Sequence, residues 1–384
     1  METAIRFFGR SPNSYFLFGP RGTGKSTWLK SAFPDALYVD LLIPEQFQRF
    51  AAQPSRLRDL IAASPDKKTI IIDEIQKLPE LLPLVHLLIE EDKTRQFILT
   101  GSSARKLRRQ GVDLLGGRAE MKTFHPFMAA EMGKWFSLEK ALAIGMVPLV
   151  NDALDPARAL AGYVALYIQE EVKAEGITRN VDWFARFLEA LSFSHGSAIN
   201  LNAISRECAV QSKTVGNYLG IVEDLLLGWE LPVFEKRSQR AMVAHRKFYF
   251  FDCGIFRSLR PSGPLDSPHE IDGAALEGLV AQHLRAWIEL SQNGCRLYYW
   301  RTRGGTEVDF VVYGENTFVA IEVKNSLRVR PEDTRGIREF VKDFPEASAA
   351  VLYRGSERIL CREIVCLPVE EFLMSLYPRK PLSL

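Results

Sequence analysis

The stretch Gly19-Pro20-Arg21-Gly22-Thr23-Gly24-Lys25-Ser26 constrains this chain more than any other, because it reads G-x-x-x-x-G-K-S in a strand-to-helix context. Tyr15 to Phe18 before it reads as a buried strand, and Thr27-Trp28-Leu29-Lys30 after it as the first turn of a helix. Strand, glycine-rich loop and helix N-terminus make an anion site, because unpaired backbone N–H groups and the helix dipole converge there. The glycines let the backbone approach phosphate closely, Lys25 is placed to reach the β- and γ-phosphates, and the Ser26 hydroxyl is placed to ligate Mg²⁺. The expected nucleotide contacts are therefore Gly19, Pro20, Arg21, Gly22, Thr23, Gly24, Lys25, Ser26 and Thr27, with ATP and Mg²⁺ as the cofactors.

Thr69-Ile70-Ile71-Ile72-Asp73-Glu74 is a second nucleotide signature, a β-branched apolar run ending in two carboxylates. Such a run is a central parallel strand buried on both faces, whose C-terminal tip delivers its carboxylates beside the phosphate loop. Asp73 is expected to hold Mg²⁺, directly or through water, and Glu74 to polarise the water that attacks the γ-phosphate. Gln96 to Ser103 reads as another buried strand with hydroxyl residues at its tip, lying between the Asp-Glu strand and the phosphate loop. Ser102 is the expected γ-phosphate sensor or water-orienting group, with Thr100 next; capping of the following helix is the competing role. Arg118 follows Gly116-Gly117 and precedes a predicted strand over 121–124. It is a candidate to neutralise transition-state charge, in cis or in trans, or else an ordinary surface arginine. Arg105-Lys106-Leu107-Arg108-Arg109 reads as a solvated basic helix face.

At 384 residues the chain exceeds one ordinary domain. With 47% hydrophobic and 25% charged residues it can bury sizeable cores, while a net charge of +2 confines any nucleic-acid affinity to local basic patches. Five cysteines (208, 253, 295, 361, 366) show no C-x-x-C spacing, which argues against a disulfide framework or zinc knuckle and for reduced thiols in a cytoplasmic protein. Residues 1–10 lack the apolar core of a signal peptide, and prolines and His86 interrupt the apolar stretch at 78–89, so no membrane partner is expected.

GPRGTGKS, IIIDEIQ, LTGSS, and GGR followed by a strand and His125-Pro126-Phe127 together resemble the compact AAA-type ATPases of bacteria and archaea. In that family the ATPase is joined to a C-terminal region long named only as a domain of unknown function. The resemblance covers nearly the whole chain, and departs from the family at Gly145-Met146-Val147-Pro148, where paired glycines before an aromatic and proline are usual.

In the middle of the chain, 160–174 and 184–193 read as helices after a turn-rich break at 152–156. A short helix over 201–208, a turn at Ala209-Val210 and a longer helix over 211–226 form a helix-turn-helix pattern, with Ser212-Lys213-Thr214 at its reading end. The runs 229–234 and 247–252 are expected to pair as a wing whose tip carries Lys236, Arg237, Arg240, Arg246 and Lys247. A basic wing tip suits DNA backbone contact, although winged helices also serve as protein-interaction modules. Asp252, before Cys253-Gly254, reads as a turn or cap residue.

After a Pro/Ser/Gly-rich linker at 261–268, a helix over 274–290 carries Glu277. Strands follow over 296–301 and 307–312, joined through Gly304-Gly305, and then over 318–324, where alternation puts Glu322 and Lys324 on one face. Asp309, then Glu322-x-Lys324, with a helical Glu277 upstream, is the pattern of the restriction-endonuclease-like superfamily, and the C-terminal region of the ATPase family is similar to that fold. The resemblance implies that Asp309, Glu322 and Glu277 hold Mg²⁺ and that Lys324 positions or activates the attacking water. A surface ion-pair ladder is the plainer account of Glu322 and Lys324.

The expected architecture is α/β: an AAA-type P-loop ATPase (1–150), a helical connector (151–182), a winged helix (183–262) and a restriction-endonuclease-like domain (270–384). The expected function is Mg²⁺-dependent ATP hydrolysis coupled to binding or processing of nucleic acid, DNA foremost, by a chain that can form a homo-oligomer. The rival is a signalling or interaction ATPase whose C-terminal domains bind protein or DNA without cleavage.

Overall fold

The apolar runs at Tyr15–Phe18 (β1), Leu37–Asp40 (β2), Thr69–Asp73 (β3) and Gln96–Gly101 (β4), with the more polar Glu120–Thr123 (β5), form one sheet in the order β2-β3-β4-β1-β5. Every pairing in it is parallel. The structure, a computed structural model, describes residues 5–102, 117–167, 181–235, 242, 245–382 and 384. β1, β3 and β4 are buried almost throughout because helices cover a parallel sheet on both faces. The covering helices are α1 (Lys25–Ala32), α2 (Pro44–Ala52), α3 (Arg56–Ala62) and α4 (Leu82–Glu91). Phe16, Ile70, Ile72, Phe97 and Leu99 from the sheet pack with Phe50, Leu57, Ile61 and Val85 from the helices. β4 pairs with both β3 and β1, so its tip stands between the Asp-Glu pair and the phosphate loop.

Residues Phe8–His125 with Ile221–Leu227 form one compact unit. The second holds Pro126–Gly220 and Gly228–Leu384, along with the segment ending at Phe7. In this second unit, α5 (Leu138–Ile144) is capped by Ser137, and Gly145 follows with φ of +78°. A Cβ at Gly145 would fall on the Asp252 carboxylate, so only glycine fits there. Asp252 is fully buried: it accepts hydrogen bonds from the backbone N–H of Met146 (2.7 Å) and Gly254 (2.9 Å), and caps a later helix. Burial pushes its carboxyl up to about 6 against those N–H donors.

Further along lie α6 (Val181–Ser192), α7 (Leu201–Glu207) and α8 (Ser212–Asp224), with Ala209 at φ +54° turning the chain between α7 and α8. The Asn200 side chain caps α7 by accepting the Ala203 N–H at 3.0 Å. A small antiparallel sheet runs in the order β6 (Ser197–Ala198), β8 (Lys247–Phe250), β7 (Gly228–Leu231). α9 (Cys253–Leu259) and α10 (Pro268–Ser291) lead to a six-stranded sheet in the order β13-β14-β12-β11-β10-β9. Its strands are β9 (Arg296–Arg301), β10 (Glu307–Gly314), β11 (Thr317–Lys324), β12 (Ser348–Tyr353), β13 (Ile359–Cys361) and β14 (Ile364–Pro368). β9, β10 and β11 are an antiparallel meander; β12 joins β11 in parallel through the strongly amphipathic α11 (Arg335–Asp343).

The run expected to be a free wing is fastened to this larger sheet. Beyond β7, the Tyr299 N–H donates to Pro232 (3.0 Å) and the Phe234 N–H to Tyr299 (2.7 Å), and Phe234 enters the core with Trp300, Phe340 and Phe344. Lys236, Arg237 and Arg240 lie outside the described residues, as do 105–109 and the last part of the helix expected over 160–174.

Candidate functional site

At the phosphate loop, Gly22 (φ +73°) and Gly24 (φ +91°) take left-handed conformations that side chains resist, and Gly24 is the N-cap from which α1 departs. The loop is tied inward. Thr23 Oγ1 donates to the Pro20 carbonyl at 2.8 Å, and Lys25 Nζ donates to the carbonyls of Gly19 (2.5 Å) and Pro20 (3.1 Å). Lys25 is buried in this position, Arg21 is half-buried, and Thr27 is exposed on the first helical turn.

Ser26 Oγ donates to Asp73 Oδ2 at 2.7 Å, which joins the start of α1 to the end of β3. Tyr38 OH from β2 donates to the same oxygen at 2.5 Å, and the Thr100 hydroxyl from β4 donates to Asp73 Oδ1. Two neighbouring strands and one helix thus converge on one buried carboxylate. Ser26 and Asp73 offer oxygen donors already facing each other, the donor type that a hard cation such as Mg²⁺ takes.

Glu74 leaves β3 in a left-handed conformation (φ +61°), unusual for a non-glycine residue and a form of strain that clusters at functional sites. Its Oε2 accepts from Gln76 Nε2 at 2.5 Å, and Gln76 also reaches Ser102 Oγ at 3.2 Å. Burial pushes the Glu74 carboxyl above the ordinary range; Lys25 opposes the shift and Asp73 adds to it. Ser102 is itself buried at the β4 tip. Arg118 stands apart: its guanidinium is exposed and ion-paired with Glu90 on α4. Two residues here escaped the sequence reading. Tyr38 had no signal beyond its place on a short strand, whereas Gln76 was in plain sight two residues beyond Glu74.

In the second unit Glu277, Asp309, Glu322 and Lys324 come to one region, but the centre is a residue from elsewhere. Lys247 Nζ lies 3.0 Å from Glu277 Oε1, 2.5 Å from Glu307 Oε1 and 3.4 Å from Asp309 Oδ1. This corrects the expectation that Lys247 belongs to an exposed basic wing tip, since the residue is only 3% exposed. The reason is strand alternation: Lys247 and Tyr249 share one face of β8, and Tyr249 OH also donates to Glu277 Oε1, at 2.6 Å. Arg246, on the opposite phase, is exposed and pairs with Glu230.

Burial works to lower the Lys247 pKa, but Glu277, Tyr249, Asp309 and Glu307 around it hold it well above the ordinary lysine value. Burial also pushes the Glu277 carboxyl up to about 7, against the pull of Lys247, and Glu322 up to about 8, helped by the Asp309 charge. Lys324 Nζ pairs with Glu322 Oε1 at 2.7 Å, while Glu322 Oε2 is buried with no hydrogen-bond partner among the described residues. Asp309 Oδ2 accepts the Val323 N–H at 2.8 Å, locking β10 to β11 at the carboxylates.

With Lys247 in place the cluster does not fit a divalent ion. Among the described residues, no three His, Cys, Asp or Glu side chains converge as a metal cage, and an ammonium group stands between the carboxylates. The two deeply buried histidines are structural. His283 accepts the Ala129 N–H at Nε2 (2.9 Å) while its Nδ1 faces Leu279 O (2.8 Å), and burial lowers its pKa to about 4. His195 stacks on Phe256 and fills the space that a Cβ at Gly278 would need. Among the described residues no helix is long and apolar enough to cross a membrane.

Residues 11–133 match the family model described as an AAA domain. Residues 136–266 and 272–372 match two further models, each described as a domain of unknown function (DUF8612 and DUF4143). "Uncharacterized protein Rv2008c" of Mycobacterium tuberculosis and "Uncharacterized protein Mb2031c" of Mycobacterium bovis are each 24% identical over 369 residues, 93% of this chain and 80% of theirs. Among solved structures, replication initiator DnaA bound to AMPPCP and single-stranded DNA aligns at 14% identity and a TM-score of 0.27, over 56% of this chain and 83% of that one. AMPPCP-bound DnaA from Aquifex aeolicus aligns at 13% and 0.24, over 55% and 81%. Likeness that slight carries no argument about this chain. The family match and the phosphate-loop sheet together make the N-terminal part an AAA-type ATPase domain.

Proposed function

We propose that the chain is a Mg²⁺-dependent ATP hydrolase whose AAA-type domain drives a C-terminal region that engages nucleic acid, DNA foremost. The observation that carries the ATPase reading is the convergence of Ser26, Asp73, Glu74, Gln76, Thr100 and Ser102 at the tips of adjacent parallel strands beside the phosphate loop. Ser26 and Asp73 would hold Mg²⁺, which when bound would neutralise charge on the β- and γ-phosphate oxygens. Lys25 would exchange the carbonyls of Gly19 and Pro20 for phosphate oxygens. Glu74, held by Gln76, would orient the water and take up its proton as the water oxygen bonds to γ-phosphorus and the bond to the bridging oxygen of ADP breaks. Ser102, on the same glutamine, would report the γ-phosphate to Glu74. Arg118 would have to leave Glu90 to act, and its exposure suits an acceptor on a second copy of the chain.

For the C-terminal region, α7, the Ala209 turn, α8 and the small sheet support a winged helix, with Lys213 exposed at the start of α8. α10, the β9–β11 meander and the α11 crossover to β12 support a restriction-endonuclease-like fold. The reading without cleavage is favoured by one observation, the Lys247 ammonium among the carboxylates. Lys25→Ala tests the ATPase reading. ATP turnover should be abolished while the C-terminal unit stays folded by circular dichroism, and unchanged turnover would refute it.

A further inference from the structure

We infer that Lys247 is the resident cation of the C-terminal acidic cluster, standing where a divalent ion would otherwise sit and excluding it. Four carboxylates meet in this region, Glu277 from α10, Glu307 and Asp309 from β10, and Glu322 from β11. Three of them surround one ammonium at 2.5–3.4 Å. That ammonium is not a mobile surface group. Its side chain is 4% exposed, Tyr249 on the same face of β8 anchors Glu277 beside it, and the Tyr299 ring lies 5.4 Å beneath it. The continuation of β7 along β9 fastens the small sheet, and β8 with it, to the strands that carry the acids.

A divalent ion bound to Glu277 and Asp309 would need oxygens at about 2.1 Å in an octahedral shell with several waters. It would also stand a few ångströms from a buried positive charge, a repulsion that little water screens. The lysine, by contrast, already places its positive charge and its N–H donors against Glu277, Glu307 and Asp309, which is how buried charge is tolerated. With Lys247 in place the domain presents the strands and helix of a nuclease-like core without the ion that cutting requires.

The inference does not rest on ATP hydrolysis, and its test uses the full chain carrying Asp73→Asn, which removes the carboxylate that faces Ser26 at the nucleotide site. Mn²⁺ alone is the probe, read by electron paramagnetic resonance and by thermal unfolding. With Lys247 intact, no Mn²⁺ should be taken up and the Tm should not move with Mn²⁺. Lys247→Met in the same background should bind one Mn²⁺ at least about tenfold more tightly and gain Tm with it, and adding Asp309→Asn should remove both effects. Should Lys247→Met fold poorly, Lys247→Met with Glu307→Gln relieves one uncompensated charge and carries the same expectation. Mn²⁺ uptake by the chain with Lys247 intact that Asp309→Asn abolishes would overturn the inference. So would a folded Lys247→Met chain that takes up none.

Discussion

Two regions of this chain each place a buried lysine in the neighbourhood of carboxylates, and their wiring differs. At the phosphate loop, Lys25 is held by the carbonyls of Gly19 and Pro20, while Asp73 is held by the hydroxyls of Ser26, Tyr38 and Thr100. Those are neutral partners, and exchanging one for a phosphate oxygen or a metal ion costs little, because one hydrogen bond replaces another. In the C-terminal cluster, Lys247 faces Glu277, Glu307 and Asp309 directly. Removing that lysine leaves buried Asp309 and half-buried Glu277 without their cation, while Glu307 keeps only Arg301, a far larger cost. The first arrangement is poised to receive a charged ligand; the second has satisfied itself.

The sharpest way to break this contrast is at Glu74. Glu74→Gln should slow ATP hydrolysis by about 10²–10⁴-fold with nucleotide binding retained, the usual weight of a positioned general base. Burial holds the Glu74 pKa above the ordinary carboxylate range, and only the ionised form can take the proton. The rate of the native chain should therefore rise with pH through a limb displaced upward from that range, and Glu74→Gln should lose this limb. A pH profile shared by both chains would remove Glu74 from the proposal. Next in size is Lys247→Met, expected to destabilise the second unit by about 3–5 kcal/mol because it strands buried charge. A loss below about 1 kcal/mol, measured by denaturant unfolding, would mean the lysine is an exposed-type pair. The smallest effect is expected at Arg118→Ala, where the lost pair with Glu90 is exposed and screened by solvent, so the unfolding midpoint should barely move. A fall in turnover that depends on chain concentration would instead assign Arg118 to a neighbouring copy's site.

The two regions were also unequally legible in the sequence. The phosphate loop, β3 and β4 announce themselves because their residues are contiguous and the parallel sheet brings the ends of β1, β3 and β4 together as a matter of topology. Glu74 to Gln76 spans two residues, and its hydrogen bond could have been guessed from that spacing. Lys247 could not. It is 30 residues from Glu277 and 62 from Asp309, with no spacing rule linking them. Its basic neighbours in sequence pointed to a surface tip. A lone lysine opening the otherwise apolar run Phe248-Tyr249-Phe250 was the one available hint that it lies on a buried strand.

The sequence by itself determined the phosphate loop, because left-handed Gly22 and Gly24, the Lys25-Ser26 pair and the apolar strand before them are local requirements that few other chains satisfy together. It likewise determined the Asp73–Glu74 tip and the strands that carry Asp309, Glu322 and Lys324. What only the tertiary structure decided is which charge each acidic group meets. Electrostatic pairing acts through space, and in a low-dielectric interior a single ammonium brought in by β8 changes what a set of carboxylates can bind.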